Sequence, residues 1–198
     1  MTAMPHRFWV GAAVVSIAVL GLAGCGSSTH PHPDATPSAS STASASWSRP
    51  DNPPDPRTLL QAGATALAQV PASTLVFIAS QTDDAGTWKV ELVTADGTEQ
   101  EAKIAVDGIA VLVGPTPRND SDADKANRRD SVQAARLDYR AAVQQALGAV
   151  PNGSITELSL TELGGTAVWK ADVWDTYLVE HQVTIDAATG DVTANKQV

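Results

Sequence analysis

The feature that most constrains the fold of this chain is an internal repeat with a spacing of about 80 residues. Three landmarks occur twice in the same order: a Val-Pro step, a Trp-Lys pair and an apolar residue followed by Asp. They stand at Val70-Pro71 and Val150-Pro151, at Trp88-Lys89 and Trp169-Lys170, and at Val106-Asp107 and Ile185-Asp186. Because both order and spacing are kept, the sequence predicts the duplication of one supersecondary unit.

Each unit is predicted to begin with a helix and to continue with antiparallel strands. Asp55-Pro56 supplies an N-cap and a proline at the first helical position, and apolar residues then recur at helical spacing. In the second unit we expect the helix to begin near Ser131 and to end before Pro151. Alternating strands follow in both units. The sequence therefore predicts an α+β fold of two repeats, each a helix packed on a small antiparallel β-sheet.

The second unit resembles the PepSY domain. The resemblance rests on Trp169-Lys170-Ala171-Asp172-Val173 and on the closing run from Ile185 to Val192, in which Asp186 and Gly190 occupy the family's turn positions. The first unit is more divergent, since Val106-Asp107-Gly108-Ile109 lacks the longer turn. The resemblance implies two PepSY-like units, at residues 57–115 and, after a polar connection, within 116–198. It also implies a non-catalytic module that binds or regulates an extracytoplasmic peptidase or an envelope sensor.

The first 24 residues have the pattern of a secretory signal peptide. Arg7 precedes an uncharged run that is too short for a confident membrane span and ends in small residues. Leu22-Ala23-Gly24-Cys25 resembles the bacterial lipobox, which implies cleavage after Gly24 and a diacylglycerol thioether on Cys25. The alternatives are a signal anchor that stays in place and a chance or buried cysteine. We expect a lipid-anchored protein on the extracytoplasmic face of the cell membrane.

Residues 25–56 are predicted to form a disordered tether. They are rich in Ser, Thr, Pro and Ala and have almost no large apolar side chain, so they cannot bury enough surface to fold. The whole chain has a formal net charge of −9. Because binding to phosphates needs clustered Lys and Arg, this charge argues against a nucleic-acid partner.

The sequence contains no recognisable catalytic motif, and we predict that the protein is not an enzyme. His181 shares strand parity with apolar residues, which favours a structural role over that of a general base. The acidic run Asp120–Asp124 departs from a calcium loop at its glycine and glutamate positions, and a capping box from Ser121 to Asp124 explains it better. We predict no metal and no cofactor.

Three residues are candidates for partner binding. If Trp169 and Val173 face the helix, strand parity turns Trp174 and Lys170 to the opposite face, and Tyr177 follows in the adjacent turn. Aromatic side chains on an open sheet face often anchor partners, although the other unit or a loop could equally cover Trp174. A rival hypothesis is a carrier or receptor for a small apolar or peptide ligand, bound between helix and sheet. We make no prediction of the oligomeric state from the sequence.

Overall fold

A computed structural model describes residues 52–81 and 86–198, which form three helices and eight strands. The first half contains α1 (Pro56–Gln69), β1 (Thr74–Gln81), β2 (Thr87–Val93), β3 (Glu99–Ile104) and β4 (Val111–Pro117). After α2 (Asp122–Ala134), the second half contains α3 (Tyr139–Ala149), β5 (Ser154–Leu163), β6 (Thr166–Trp174), β7 (Glu180–Asp186) and β8 (Val192–Gln197). The mixed helix and antiparallel sheet agree with the predicted α+β class.

All eight strands belong to one antiparallel sheet with the order β4-β3-β2-β1-β5-β6-β7-β8. The prediction of a separate small sheet in each unit is therefore wrong. The two sets of strands join where β1 pairs with β5, with Phe77 opposite Ser159 and Ile78 opposite Leu158. This pairing satisfies the backbone groups that two separate sheets would leave unpaired along these two strands.

The two halves share several local backbone features besides the order of their elements. Both first strands carry a bulge, between Leu75 and Phe77 in β1 and between Ile155 and Glu157 in β5. Helices α1 and α3 each have an aspartate N-cap. The connection from α1 to β1 and the connection from α3 to β5 each contain a residue with φ of 61°. The capping aspartates are Asp55 and Asp138, and the two residues with positive φ are Ala72 and Asn152.

The core lies between the sheet and the two helices α1 and α3. Trp88 and Trp169 are the largest fully buried side chains, and Leu59 and Val143 are among the helix residues that pack over the sheet. The two helices also meet, because the Tyr139 hydroxyl donates a hydrogen bond of 3.2 Å to the carbonyl of Leu60. Both halves thus contribute to one continuous core.

The helical region before Pro151 differs from the expected single helix beginning near Ser131. Ser121 caps α2 by accepting a hydrogen bond from the backbone N–H of Asp124, which confirms the capping interpretation. The helix ends after Ala134, and the backbone N–H groups of Arg136 and Leu137 donate to the carbonyl of Ala187 instead. Asp138 then caps the start of α3, so contacts with the turn after β7 separate the two helices.

Several predictions concern residues outside the described part of the chain. These are the signal peptide at residues 1–24, lipid attachment at Cys25, and the tether as far as residue 51. Within residues 52–81 and 86–198, no helix is both long enough and apolar enough to span a membrane.

Candidate functional site

The candidate site is the face of the sheet that α1 and α3 do not cover, which we call the open face. It is formed by side chains that alternate along the strands with the buried core residues. In the first half these are Phe77, Lys89, Glu91, Glu101 and Lys103. In the second half they are Glu157, Ser159, Lys170, Asp172 and Trp174.

The structure brings two of the three predicted partner-binding residues to this face. Lys170 and Trp174 lie on the same side of β6, as strand parity predicts. Trp174 is only 8% exposed although it lies outside the core cluster, so neighbouring groups cover most of its indole. Tyr177, in the turn after β6, is 85% exposed. Their part in binding a partner stays a prediction.

In the first half, one lysine forms ion pairs with two carboxylates at the centre of the open face. The Lys89 ammonium lies 2.8 Å from Glu91 and 3.5 Å from Glu101. The hydrogen bond to Glu91 raises the pKa of Lys89, although partial burial opposes the shift. The same ammonium lies 5.6 Å from the centre of the Phe77 ring, within the range of a cation–π contact.

A second group of ion pairs lies where the sheet meets α2. Arg118 donates to the Glu99 carboxylate at 2.7 Å, and Arg128 lies 3.6 Å from the other oxygen of Glu99. Both arginines also contact Asp120. The Glu99 side chain is only 7% exposed, so these contacts compensate a nearly buried charge.

In the second half, the carboxylates of the open face have no such partners. Glu157 and Asp172 stand directly opposite each other on β5 and β6, and Glu180 follows on β7. Burial raises the pKa of Glu157, and the neighbouring Asp172 and Glu91 raise it further. Burial also raises the pKa of Asp172 and of Glu180. No Lys, Arg or His among the described residues lies within 4.0 Å of these three carboxylates.

Sequence reasoning missed the pair Glu157 and Asp172, although a signal for it was present. Gly164-Gly165 marks a turn, and counting outward from that turn places Glu157 opposite Asp172. The observed register follows this count from the Leu163–Thr166 pair as far as Glu157, before the bulge in β5.

His181 is held by two neighbours on the side of the sheet that α3 covers, since it stands opposite the core residue Val173. Its Nδ1 lies 3.0 Å from the side-chain oxygen of Asn195, and its Nε2 lies 3.4 Å from a carboxylate oxygen of Asp175. The backbone N–H of Val179 is the main cause of the lowered pKa of Asp175, and the contact with His181 adds to it. These contacts fix the ring in place, which suits the structural role predicted for it. Among the described residues, no group of three His, Cys, Asp or Glu side chains has a geometry that could hold a metal ion.

Comparison with known proteins identifies a domain in the second half. Residues 136–196 match the family model of the PepSY domain, described as the peptidase propeptide and YPEB domain. The chain thus contains a PepSY domain that begins just before α3 and ends within β8.

Two further comparisons concern solved structures and curated proteins. The crystal structure of a protein from Clostridium difficile 630, described as a "putative lipoprotein", aligns with 19% sequence identity and a TM-score of 0.43. The alignment covers 67% of this chain and 88% of that chain. Among curated proteins, no significant match is found.

Proposed function

We propose that this protein is a non-catalytic binding module, anchored by lipid on the extracytoplasmic face of the membrane. In this proposal the open face of the sheet binds an extracytoplasmic peptidase or an envelope sensor and regulates it. The observation that carries the proposal is the PepSY domain at residues 136–196, a domain type named for its occurrence in peptidase propeptides.

The open face supports a binding role because of its chemistry. Lys170, Asp172 and Glu157 are only partly buried there, and three carboxylates in the second half lack a cation within ion-pair distance among the described residues. A partner that brings hydrogen-bond donors or positive charge to this face would compensate them. Tyr177 stands at the end of β6 as an exposed aromatic side chain of the kind that anchors interfaces.

The proposal includes a second, divergent PepSY-like unit in the first half. The family model does not extend to this half, so the support is structural. The bulges after Leu75 and Ile155 lie at matching positions, as do the two residues with positive φ. The turn aspartates also match, because Asp107 and Asp186 each accept a backbone N–H two residues ahead.

Anchoring through Cys25 forms a separate part of the proposal and rests on the lipobox pattern. We expect the wild-type protein to sediment with membranes and to incorporate labelled palmitate in its bacterial host. Cys25→Ser should abolish the label and release the protein from the membrane fraction. Membrane association that persists in this variant without the label would contradict lipid anchoring.

The carrier hypothesis has less support, because it requires a ligand space between helix and sheet. Side chains from both layers fill that region: Leu59, Trp88, Val143 and Trp169 are each at most 1% exposed. An apolar ligand there would have to displace core side chains.

The binding proposal can be tested by affinity purification from envelope extracts, followed by quantitative mass spectrometry. The test variant combines Lys170→Glu with Tyr177→Ser, and the matched control is Arg136→Glu, an exposed residue between α2 and α3. We expect a peptidase or a sensor protein to be recovered with the wild type and the control, and to be lost with the double variant.

The recovered protein is then purified and assayed for activity with and without the wild-type chain. A change in its activity that the double variant does not produce would support regulation. If wild type, control and double variant all recover the same proteins, the open face is not the binding site, and the proposal fails.

A further inference from the structure

In the described part of the chain, the largest concentration of exposed apolar side chains lies at the turn between β3 and β4. Val106 and Ile109 are 54% and 67% exposed, and Leu112 and Val113, at the start of β4, are 53% and 58% exposed. These four side chains fall within residues 106–113, which we call the apolar hairpin. Clusters of exposed apolar side chains mark sites that bind proteins, ligands or membranes.

Backbone hydrogen bonds fix the exposure of these side chains. The N–H of Ala105 donates to the carbonyl of Ala110 at 2.8 Å, and the N–H of Gly108 closes the turn by donating to the carbonyl of Ala105. The Thr65 hydroxyl of α1 donates to the carbonyl of Gly108 at 2.6 Å, which holds the turn against the helix. The hairpin would have to break these bonds to turn its apolar side chains toward the core.

The corresponding turn in the second half does not share this cluster. Val106 corresponds to Ile185 in the repeat, and Ile185 is fully buried. The turn that follows it contains Ala187, which is also fully buried, and the small or polar residues 188–191. The shared backbone plan therefore does not require exposed apolar side chains here, and they indicate a role that belongs to the first half alone.

The apolar hairpin lies beside the end of α1 at which the preceding chain joins the domain. A methyl group on Gly108 would lie 2.7 Å from the carbonyl oxygen of Thr58, so the turn contacts the first turn of α1. Residues 26–55 connect this end of the helix to Cys25, the proposed site of lipid attachment. A chain of that length spans at most about 100 Å. The anchor therefore holds the domain near the bilayer by the end that carries the hairpin.

From these observations we infer that the apolar hairpin inserts shallowly into the bilayer to which Cys25 is anchored. Val106, Ile109 and Leu112 leave water for the boundary between headgroups and acyl chains, where amphipathic elements bind. The exposed carboxylate of Asp107, at the tip of the turn, limits the depth because a charge is costly to transfer into an apolar medium. This inference rests on the anchoring part of the proposed function.

The contact depends on apolar burial and not on attraction between charges. The net charge of −9 opposes binding to an anionic surface. Beside the hairpin, Asp55 and Arg57 pair with each other at 2.6 Å, so their charges offset each other. The hairpin should therefore bind a phosphatidylcholine bilayer at least as well as one that contains phosphatidylglycerol.

The test uses the mature chain that begins at Cys25, the only cysteine of the sequence. Coupling Cys25 to a maleimide lipid attaches the protein to phosphatidylcholine vesicles, and coupling it to soluble polyethylene glycol gives the reference. Amide hydrogen exchange, followed by mass spectrometry, compares the two forms. We expect residues 105–113 to exchange about threefold or more slowly on vesicles, because insertion excludes water and opposes local opening of the hairpin.

Variants then locate the contact. Ile109→Ser should remove the slowing that vesicles produce, whereas Ile109→Leu should retain it. Leu163→Ser removes an apolar side chain of comparable exposure, 55%, at the end of β5, and should leave the slowing unchanged. Circular dichroism confirms that each variant is folded.

Three results would overturn the inference. The first is equal exchange of residues 105–113 in both forms, and a protein lost from envelope pull-downs with Ile109→Ser would then be the occupant instead. The second is slowing that Ile109→Ser leaves unchanged, and the third is slowing only on vesicles that contain phosphatidylglycerol. The proposed anchoring fails separately, in the host, if Cys25→Ser stays with the membranes, because the exchange measurement uses a chemical anchor and reports on the hairpin alone.

Discussion

The two halves of the open face share a backbone plan but treat their carboxylates in opposite ways. In the first half, Glu91 and Glu101 flank Lys89, and Glu99 lies between two arginines. In the second half, Glu157 faces Asp172 across the strands, and burial raises the pKa of both. The same sheet surface therefore contains one region of ion-paired carboxylates and one region in which the described carboxylates have no ion pair and Gln182 donates a hydrogen bond to Asp172.

This difference indicates two roles for charged side chains: in the first half they stabilise the fold, and in the second half we propose that they bind a partner. Paired carboxylates stabilise the sheet within the chain itself, because each lies within ion-pair distance of a cation. Carboxylates that oppose each other cost stability, and such a cost is typical of surfaces that serve binding. The second half contains the PepSY domain, so the costly arrangement falls where the binding function is proposed.

The largest expected effect tests whether the two halves are independent. Trp88→Ala and Trp169→Ala should each lower the free energy of unfolding by about 3–5 kcal/mol, because each removes a fully buried indole. Since both indoles belong to one core, each variant should unfold in a single transition in guanidinium, followed by circular dichroism. Tyr177→Ala, at an exposed position, should change the stability by less than about 0.5 kcal/mol. Two separate transitions would show that the halves fold independently.

A smaller effect distinguishes two glycines that lie in corresponding turns, one between β3 and β4 and the other between β7 and β8. Gly108 and Gly190 both have positive φ, of 78° and 85°. A methyl group on Gly108 would lie 2.7 Å from the carbonyl oxygen of Thr58, whereas one on Gly190 would meet the flexible end of Leu137 at 3.3 Å. We expect Gly108→Ala to cost about 2–4 kcal/mol and Gly190→Ala about 1–2 kcal/mol, measured by chemical denaturation.

A third glycine provides the control for this comparison. Gly148 lies in α3, and an added methyl group there meets no atom within 4 Å. Gly148→Ala should therefore raise the stability by up to about 1 kcal/mol through helix propensity. Equal losses for Gly108→Ala and Gly190→Ala would mean that backbone strain alone decides the cost and that the contact with α1 does not.

Much of the fold followed from local patterns in the sequence, but its long-range features did not. The helix start at Asp55-Pro56, the helix end before Pro151 and the alternation in β6 are local signals. The pairing of β1 with β5 joins strands about 80 residues apart and has no local signature. The end of α2 likewise depends on the carbonyl of Ala187, which lies far along the chain.

The candidate site could be predicted only in part for the same reason. Strand parity placed Lys170 and Trp174 on one face, because side-chain direction depends only on the alternation within β6. The burial of Trp174 depends on tertiary neighbours and could not be read from the strand. Glu157 and Asp172 could have been paired from the Gly164-Gly165 turn, since hairpin register is fixed by its turn.

The two regions of the open face should respond in opposite directions to the same chemical change. Glu99→Gln removes the charge that Arg118 and Arg128 surround, and leaves Arg128 with weaker compensation. We expect a loss of about 1–3 kcal/mol in the free energy of unfolding at neutral pH, measured in urea. Glu101→Gln, at a mostly exposed side chain, should cost less than about 1 kcal/mol. A neutral or stabilising effect of Glu99→Gln would contradict a structural role for these ion pairs.

The smallest expected effect is a gain, from Glu157→Gln. Removing one of two facing carboxylates should raise the stability at neutral pH by about 0.2–1 kcal/mol, because like charges directly opposite each other repel. The pKa of Glu157 is raised in the folded state, so the folded protein holds this proton more tightly than the unfolded chain. Stability supplied by this group is therefore present below its ordinary pKa and is lost as the pH rises through the raised value.

The gain from Glu157→Gln should consequently depend on pH. Below the ordinary pKa of glutamate the wild-type side chain is protonated in both states, and the two proteins should be almost equally stable. The difference should grow as the pH rises toward neutrality, when unfolding free energies are measured in urea across this range. Glu162→Gln makes the same chemical change at an exposed position near the end of β5 and serves as the matched control. A gain of the same size at every pH would mean that the amide acts by packing, and the region would then hold no uncompensated charge for a partner to bind.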